Sequence, residues 1–153
     1  MSGGSRLPAP RRLVADANVF VAAFLKDSAV RRIVALSGLQ LLVPEYLFEE
    51  VRRHLDELSE RAGLQKGEAS ELLGRLGKYF IVLPQAILSA RLNEAEKTMA
   101  GIDSRDAVYL AMALAVPCDG IWSDDPHMKM QKRVKCFTTR ELVAELKADG
   151  FQV

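Results

Sequence analysis

Short apolar, β-branched runs alternate along the chain with stretches whose apolar positions recur at helical spacing. Residues 12–16 read as a first strand that stops abruptly at Asp16. A helix is predicted from Val19 to Lys26, with Asn18 available to cap it. Asp27-Ser28 opens a second short helix, Ala29 to Leu36, closed by Ser37-Gly38. Leu39 to Val43 is an apolar run short enough to be a buried strand. Pro44 suits a first helical turn and begins a helix running to about Ala62. Gly63 and Gly67 punctuate the next join, and Glu68 to Lys78 carries Leu72, Leu73 and Leu76 on one side of a helix.

The alternation continues through the second half. Tyr79 to Leu83 is a third strand stopped by Pro84, and a helix follows from about Ile87 to Met99. Gly101 breaks it, and a new helix runs from Ser104 to Ala115. Gly120 to Ser123 is a fourth strand leading into Asp124-Asp125-Pro126, and Val134 to Phe137 a fifth. Thr138 or Thr139 then caps a last helix, Arg140 to Lys147. Strands alternating with helices imply right-handed crossovers and a mostly parallel sheet covered on both faces. The expected architecture is α/β: a three-layer α/β/α sandwich around a four- to five-stranded sheet. One domain is expected over 12–148, behind a flexible lead-in at 1–11 rich in Gly, Ser, Pro and Arg.

Composition narrows the class without naming a function. With 153 residues, 49% hydrophobic and 27% charged, the chain has the makeup of a soluble globular domain. A net charge of +1 argues against a globally basic nucleic-acid binder and leaves room for a local patch. Cys118 and Cys136 lack metal-ligand spacing, so neither a zinc site nor a disulfide framework is expected, and a reducing compartment fits. The longest apolar stretch, Leu13 to Leu25, is interrupted by Asp16 and Asn18 and is too short to span a bilayer. Residues 1–12 lack the apolar run of a signal peptide. The expected location is the cytoplasm.

Candidate chemistry lies in the acids. Asp16 and the Asp124-Asp125 pair each follow an apolar strand, and parallel strands end on one edge of the sheet, where ligands of open α/β sheets bind. A strand-end Asp alone is more often a turn residue or helix cap. After Pro44, Leu47, Val51, Leu55 and Leu58 form an apolar stripe. At about 100° per residue, Glu49 lies about 160° from its centre, toward solvent, whereas Glu50 lies about 100° away, at the boundary. Asp106 is in register with Leu110 and Ala113, so its side chain starts from the inward stripe of a first helical turn. An acid there is costly to bury unless it is paired or binds a cation. Asp103 or Ser104 caps that helix. Four carboxylates from separate segments, with no His or Cys beside them, describe an all-oxygen site for Mg²⁺ or Mn²⁺ and support phosphodiester hydrolysis best. Ser–His–Asp chemistry has little support, since His54 and His127 lack a nucleophile in a recognisable turn.

Val-Ala-Asp16-Ala-Asn18-Val, Val-Pro-Glu-Tyr-Leu-Phe-Glu-Glu50-Val-Arg-Arg, Asp103-Ser-Arg-Asp106-Ala-Val-Tyr-Leu-Ala and Ile-Trp-Ser-Asp124-Asp125 resemble, in order and spacing, the PIN-domain nucleases. The likeness runs from about Arg12 to Leu146 and is nearest to the VapC-type toxins of toxin–antitoxin systems. It implies an acidic site of Asp16, Glu50, Asp106 and Asp125 holding one or two Mg²⁺ or Mn²⁺ ions for endoribonuclease action on RNA. By the same resemblance Asn18, Asp103, Ser123 and Asp124 are supporting residues, and Asp125 is chosen over Asp124 by the family's Ser/Thr-x-Asp ending. A homodimer and a cognate antitoxin are implied as partners. Pro126-His127-Met128 departs from the pattern, standing where the family often has an acid and an aromatic.

Lys129, Lys132, Arg133 and Lys135 follow the acids directly and are candidates for phosphate contacts. The competing reading of this run is a solvated, aggregation-resistant edge. Two other functions stay open: a non-catalytic RNA-binding or scaffold module that kept its acids, and a metal-dependent phosphatase on a related α/β fold. An aspartyl-phosphate enzyme would want a second acid where this chain has Asn18.

Overall fold

The computed structural model describes residues 8–24, 28–65 and 67–153. Five strands, β1 (Arg12–Ala15), β2 (Gln40–Pro44), β3 (Phe80–Leu83), β4 (Gly120–Trp122) and β5 (Cys136–Phe137), form one sheet in the order β3-β2-β1-β4-β5. Every neighbouring pair is parallel. Leu13, Val14 and Ala15 of the central strand are fully buried, as a parallel strand covered on both faces requires.

Each face of the sheet has its own core. Leu13 and Ala15 join Val19 and Phe20 of α1 (Ala17–Ala22), Ile33 of α2 (Ala29–Leu36) and Leu47 and Val51 of α3 (Glu45–Arg53). The same core takes Leu58 of α4 (Leu55–Ala62), Leu73 of α5 (Glu68–Leu76) and Leu142 of α8 (Thr139–Ala148). Val14 faces the opposite side, toward Leu88 of α6 (Gln85–Met99) and Leu110 of α7 (Ala107–Ala115). Phe20 packs its ring against Phe48 at 5.6 Å and Phe80 at 4.8 Å, fixing α1 beside α3 and the sheet. Burying a Phe side chain stabilises by about 2 kcal/mol, so this cluster sets the spacing of those elements strongly.

Local chemistry moves several boundaries from their sequence expectation. The first helix starts at Ala17 rather than Val19, because the Asp16 carboxylate caps it; Asn18 lies within the helix, and its expected capping role is corrected. The helix expected from Pro44 to Ala62 divides at His54, whose backbone leaves helical geometry (φ −105°, ψ 26°). Asp56 and Glu57 follow at once, acids suited to the positive end of a new helix. The start of the helix expected at Ser104 is a tight 3-10 turn, Ser104–Asp106. The fifth strand is shortened because Gln131 Oε1 accepts from the amides of Arg133 and Val134, taking them from the sheet. Thr138, not Thr139, caps the last helix, in a capping box with Glu141.

Of the lead-in expected at 1–11, residues 1–7 lie outside the described residues, as do Leu25 and Lys26 at the end of the predicted first helix and Asp27 at the predicted opening of the second. Ala9 is buried, and its amide donates to Asp149 Oδ2 at 2.7 Å. The Arg11 and Arg12 amides both donate to Asp119 Oδ2, tying the entry to β1 beside β4. Gly120 brings β4 and β5 together: it adopts φ +149°, and a Cβ there would meet the Lys135 carbonyl oxygen at 2.4 Å. Among the described residues no helix is long and apolar enough to cross a membrane.

Candidate active site

The chain leaves β1 toward β2 and β3 on one side and returns on the other side as β4, so the strand order reverses between β1 and β4. Crevices at the carboxyl ends of strands at such a reversal are the binding places of open parallel sheets. Ala15 is paired with Trp122, which puts Asp16 and Ser123 side by side where the two strands end. Asp16 is only 3% exposed. Its Oδ1 accepts from the Val19 amide at 2.9 Å, and Ser123 donates a short hydrogen bond to its Oδ2. Burial raises the Asp16 pKa; the Ser123 and Val19 bonds pull it back down, and the charges of Asp124 and Asp125 push it up again.

The two acids after β4 separate physically. Asp124 turns outward: its carboxylate accepts from the Thr139 amide and the Thr139 hydroxyl, both at 2.6 Å. The Trp122 indole donates to the same hydroxyl, so Asp124 ties the end of β4 to the start of α8. Asp125 turns inward and lines a cleft of about 280 Å³ with Asn18, Tyr46, Glu50, Asp103 and Asp106. The Asp125 amide donates to Ser123 Oγ, so one hydroxyl holds both Asp16 and Asp125 in place.

Asp106 comes from the 3-10 turn that leads into α7. Its Oδ2 is buried with no hydrogen-bond partner. Desolvation, then the negative charges of Asp125 and Asp103, push its pKa up to about 7. Asp103 caps that turn by accepting from the Arg105 amide, as its position predicted, and also lines the cleft. The Arg105 guanidinium binds it through Nε and Nη2 and holds its pKa below the usual carboxylate range. Glu50 is exposed and borders both this cleft and an adjoining groove of about 330 Å³ floored by Leu47, Val51 and Leu58. Glu49 lines neither.

Of the acids singled out in the sequence, Glu50, Asp103, Asp106 and Asp125 line one crevice; Asp16 is buried at the end of β1, held by Ser123, and does not line it, and Asp124 turns away to Thr139. The carboxylates fit a divalent cation: those lining the cleft are hard oxygen donors from three segments, and the orphaned Asp106 oxygen is a buried acceptor that a cation would satisfy. Three lining residues, Tyr46, Tyr109 and Arg105, had no sequence signal as site groups, and His127 beside them had little. Tyr46 donates to Tyr109 at 3.3 Å, and burial raises the pKa of both hydroxyls. Arg105 supplies a cation within the acidic lining. His127 lies over the rim, with Nδ1 3.4 Å from Asp125 Oδ1 and 3.6 Å from Asp103 Oδ2. Its place in the loop that departs from the PIN pattern was the one clue available.

The basic run lies apart from these acids. Lys129, Lys132 and Lys135 line another cleft beside Gln131 and Cys136. Lys129 pairs with Glu141 at 2.5 Å and Arg133 with Glu94 at 2.8 Å. Lys132 donates to the Lys129 carbonyl, and Lys135 sits 4.7 Å over the Phe137 ring.

A parallel sheet with an acid-lined crevice at its strand reversal defines an α/β domain equipped for cation-assisted chemistry. The sequence profile of the PIN domain matches residues 14–147, so the chain belongs to the PIN-domain family. Members of this family are generally metal-dependent nucleases. No curated protein matches the chain.

Proposed function

We propose that the protein is a metal-dependent endoribonuclease, with Asp16, Glu50, Asp106 and Asp125 as its acidic site and Mg²⁺ or Mn²⁺ as cofactor. The observation that carries this reading is the orphaned, buried carboxylate oxygen of Asp106 in a cleft lined also by Glu50 and Asp125 from two other segments, with the buried Asp16 within electrostatic reach. A divalent cation held there supplies Lewis-acid stabilisation of charge developing on the phosphate and eases deprotonation of an attacking water. Asp16, oriented by Ser123 and the Val19 amide, is a buried, fixed carboxylate within electrostatic reach of Asp106 and Asp125. Asp106 and Asp125 face it from two other elements, and Glu50 stands at the exposed border, where a substrate would enter. Asn18, Asp103 and Asp124 are supporting residues; the bonds from Thr139 give Asp124 a structural role in placing the β4 end.

Biologically, we read the protein as the cytoplasmic toxin of a type II toxin–antitoxin pair. The groove continuing from the acids past Glu50 offers a place for an antitoxin to cover the site. A homodimer is supported by edge strand β3, which exposes Ile81 and Val82, each 42%, next to exposed Tyr79. Phosphate contacts are assigned to Lys129, Lys132, Arg133 and Lys135. Incubation with structured RNA, single-stranded RNA, DNA of matched sequence and a phosphomonoester tests the reaction class. Metal-dependent internal cuts in RNA support it. Phosphomonoester hydrolysis alone identifies a phosphatase, and RNA binding without cleavage identifies a non-catalytic module.

A further inference from the structure

The acidic cleft has an aromatic wall. Tyr46 lies in the first turn of α3 and is 37% exposed. Of the large apolar side chains exposed among the described residues, it alone lines the cleft. Glu50 comes four residues later on the same helix, and side chains at that spacing are neighbours on one face. The ring therefore stands beside the acid at the open border, in one cleft with Asp106 and Asp125. Its far end is held: the Tyr46 hydroxyl donates to the hydroxyl of Tyr109, which is only 4% exposed and belongs to the core around α6 and α7. A ring anchored at both ends is an apolar surface already ordered before a ligand arrives.

Charge does little to hold RNA at this place. Glu50, Asp103, Asp106 and Asp125 repel phosphates, and Arg105, the one cation among the described lining residues, is bound to Asp103. Lys129, Lys132 and Lys135 line a different cleft. An uncharged part of the substrate must therefore contribute to its placement beside the acids. Every nucleobase has a π face that stacks on aromatic side chains, and unpaired bases are free to present it.

We propose that the Tyr46 ring is a stacking platform for one unpaired nucleobase, which selects single-stranded RNA and sets the neighbouring phosphate against the acids. The inference rests on the nuclease reading and names the substrate class and the residue that chooses it. Because the Tyr46 hydroxyl is engaged by Tyr109, the ring face is what meets the base, and the contact is tolerant of base identity. Tyr109 acts through Tyr46, as a positioning residue.

The test uses an RNA of about 12 nucleotides, single-stranded or paired with its complement, and a series of the single strand with one base at a time removed to leave an abasic sugar. Binding of the labelled RNA is read by fluorescence anisotropy in Ca²⁺, and cleavage by gel in Mn²⁺. In the wild type, one abasic position is expected to weaken binding about tenfold, the scale of a lost base–aromatic stack. Tyr46→Ala is expected to weaken binding of the intact single strand by the same factor and to become insensitive to that position, so that the two losses do not add. Tyr46→Trp should bind as the wild type does, and Tyr46→Ala should leave binding of the duplex unchanged. Additive losses, or a wild type indifferent to every abasic position, overturn the platform, while Mn²⁺-dependent cleavage in the same samples keeps the nuclease reading standing. Position-specific stacking without cleavage leaves Tyr46 as a base-binding residue and overturns the nuclease reading. Neither binding nor cleavage by the wild type overturns both. The wild-type abasic series and Tyr46→Trp decide the point even if Tyr46→Ala folds poorly.

Discussion

The Ser123 hydroxyl lies between two acids, donating to Asp16 Oδ2 and accepting from the Asp125 amide at 3.1 Å. Because Ser123 directly follows β4 and Asp16 directly follows β1, this one side chain couples the two strand ends across the reversal of strand order. Ser123→Ala is expected to keep the fold at a cost of about 1 kcal/mol in denaturant unfolding. Mn²⁺ affinity measured by calorimetry should fall about 10- to 100-fold, because the serine orients a carboxylate proposed to bind the ion. Unchanged affinity would mean that Asp16 is placed by the Val19 amide alone.

Asp124 and Asp125, neighbours in sequence, should behave oppositely. Asp124→Ala removes the two bonds from Thr139 and should lower unfolding stability by about 2 kcal/mol, the scale of hydrogen bonds to a charged group, while cleavage persists. Asp125→Asn should leave stability nearly unchanged and abolish cleavage. Parallel unfolding curves and cleavage rates for the two variants check this, and the reverse pattern would assign Asp124 to the chemistry.

Asp106 makes the metal-free protein sensitive to pH in an unusual direction. Its pKa in the folded protein is raised from 3.8 to about 7, so the folded state binds the proton more tightly than the unfolded chain. Its contribution to stability is full below pH 3.8 and is lost as pH rises through about 7. Melting temperatures without metal should therefore fall between about pH 4 and about 7, and Asp106→Asn should flatten that decline. Mn²⁺ binding at pH 6 should release a proton, seen as a dependence of the calorimetric heat on buffer ionisation enthalpy. Asp106→Asn should abolish the release.

The basic run can be dissected by salt dependence. Lys129 and Arg133 already have acidic partners, Glu141 and Glu94. Lys132 and Lys135 make contacts that leave their charge uncompensated: a backbone carbonyl and an aromatic ring. The double variant Lys132→Ala, Lys135→Ala should reduce the slope of log affinity against log salt by about 1.4 for single-stranded RNA. Lys129→Ala should change it by less. Equal, unchanged slopes would mark the whole run as a solvated edge.

Much of this architecture was legible in the chain because burial leaves a periodic mark. The fully apolar Leu13-Val14-Ala15 announces a covered parallel strand, and helical phase separates Glu50 from Glu49. Asp106 was found because its register with Leu110 places an acid on an inward stripe. Side chains that act through distant partners left no such mark. Asp16 as cap in place of Asn18 depended on the Val19 amide, and the role of Asp124 depended on Thr139, fifteen residues away. The break at His54 and the shortened β5 arose from local bonding that apolar periodicity does not encode. The approach of His127 to Asp103 and Asp125 exists only in the folded loop and leaves no mark in the sequence.

The central claim is that these carboxylates hold a cation for RNA cleavage. It is tested most directly by the rate of internal cleavage of an end-labelled RNA, after chelation and readdition of Mn²⁺, by wild type and Asp16→Asn. Cleavage that vanishes with the chelator, returns with Mn²⁺ and is absent from Asp16→Asn is the expected result. Equal cleavage by the two proteins, or cleavage that persists without metal, would contradict it.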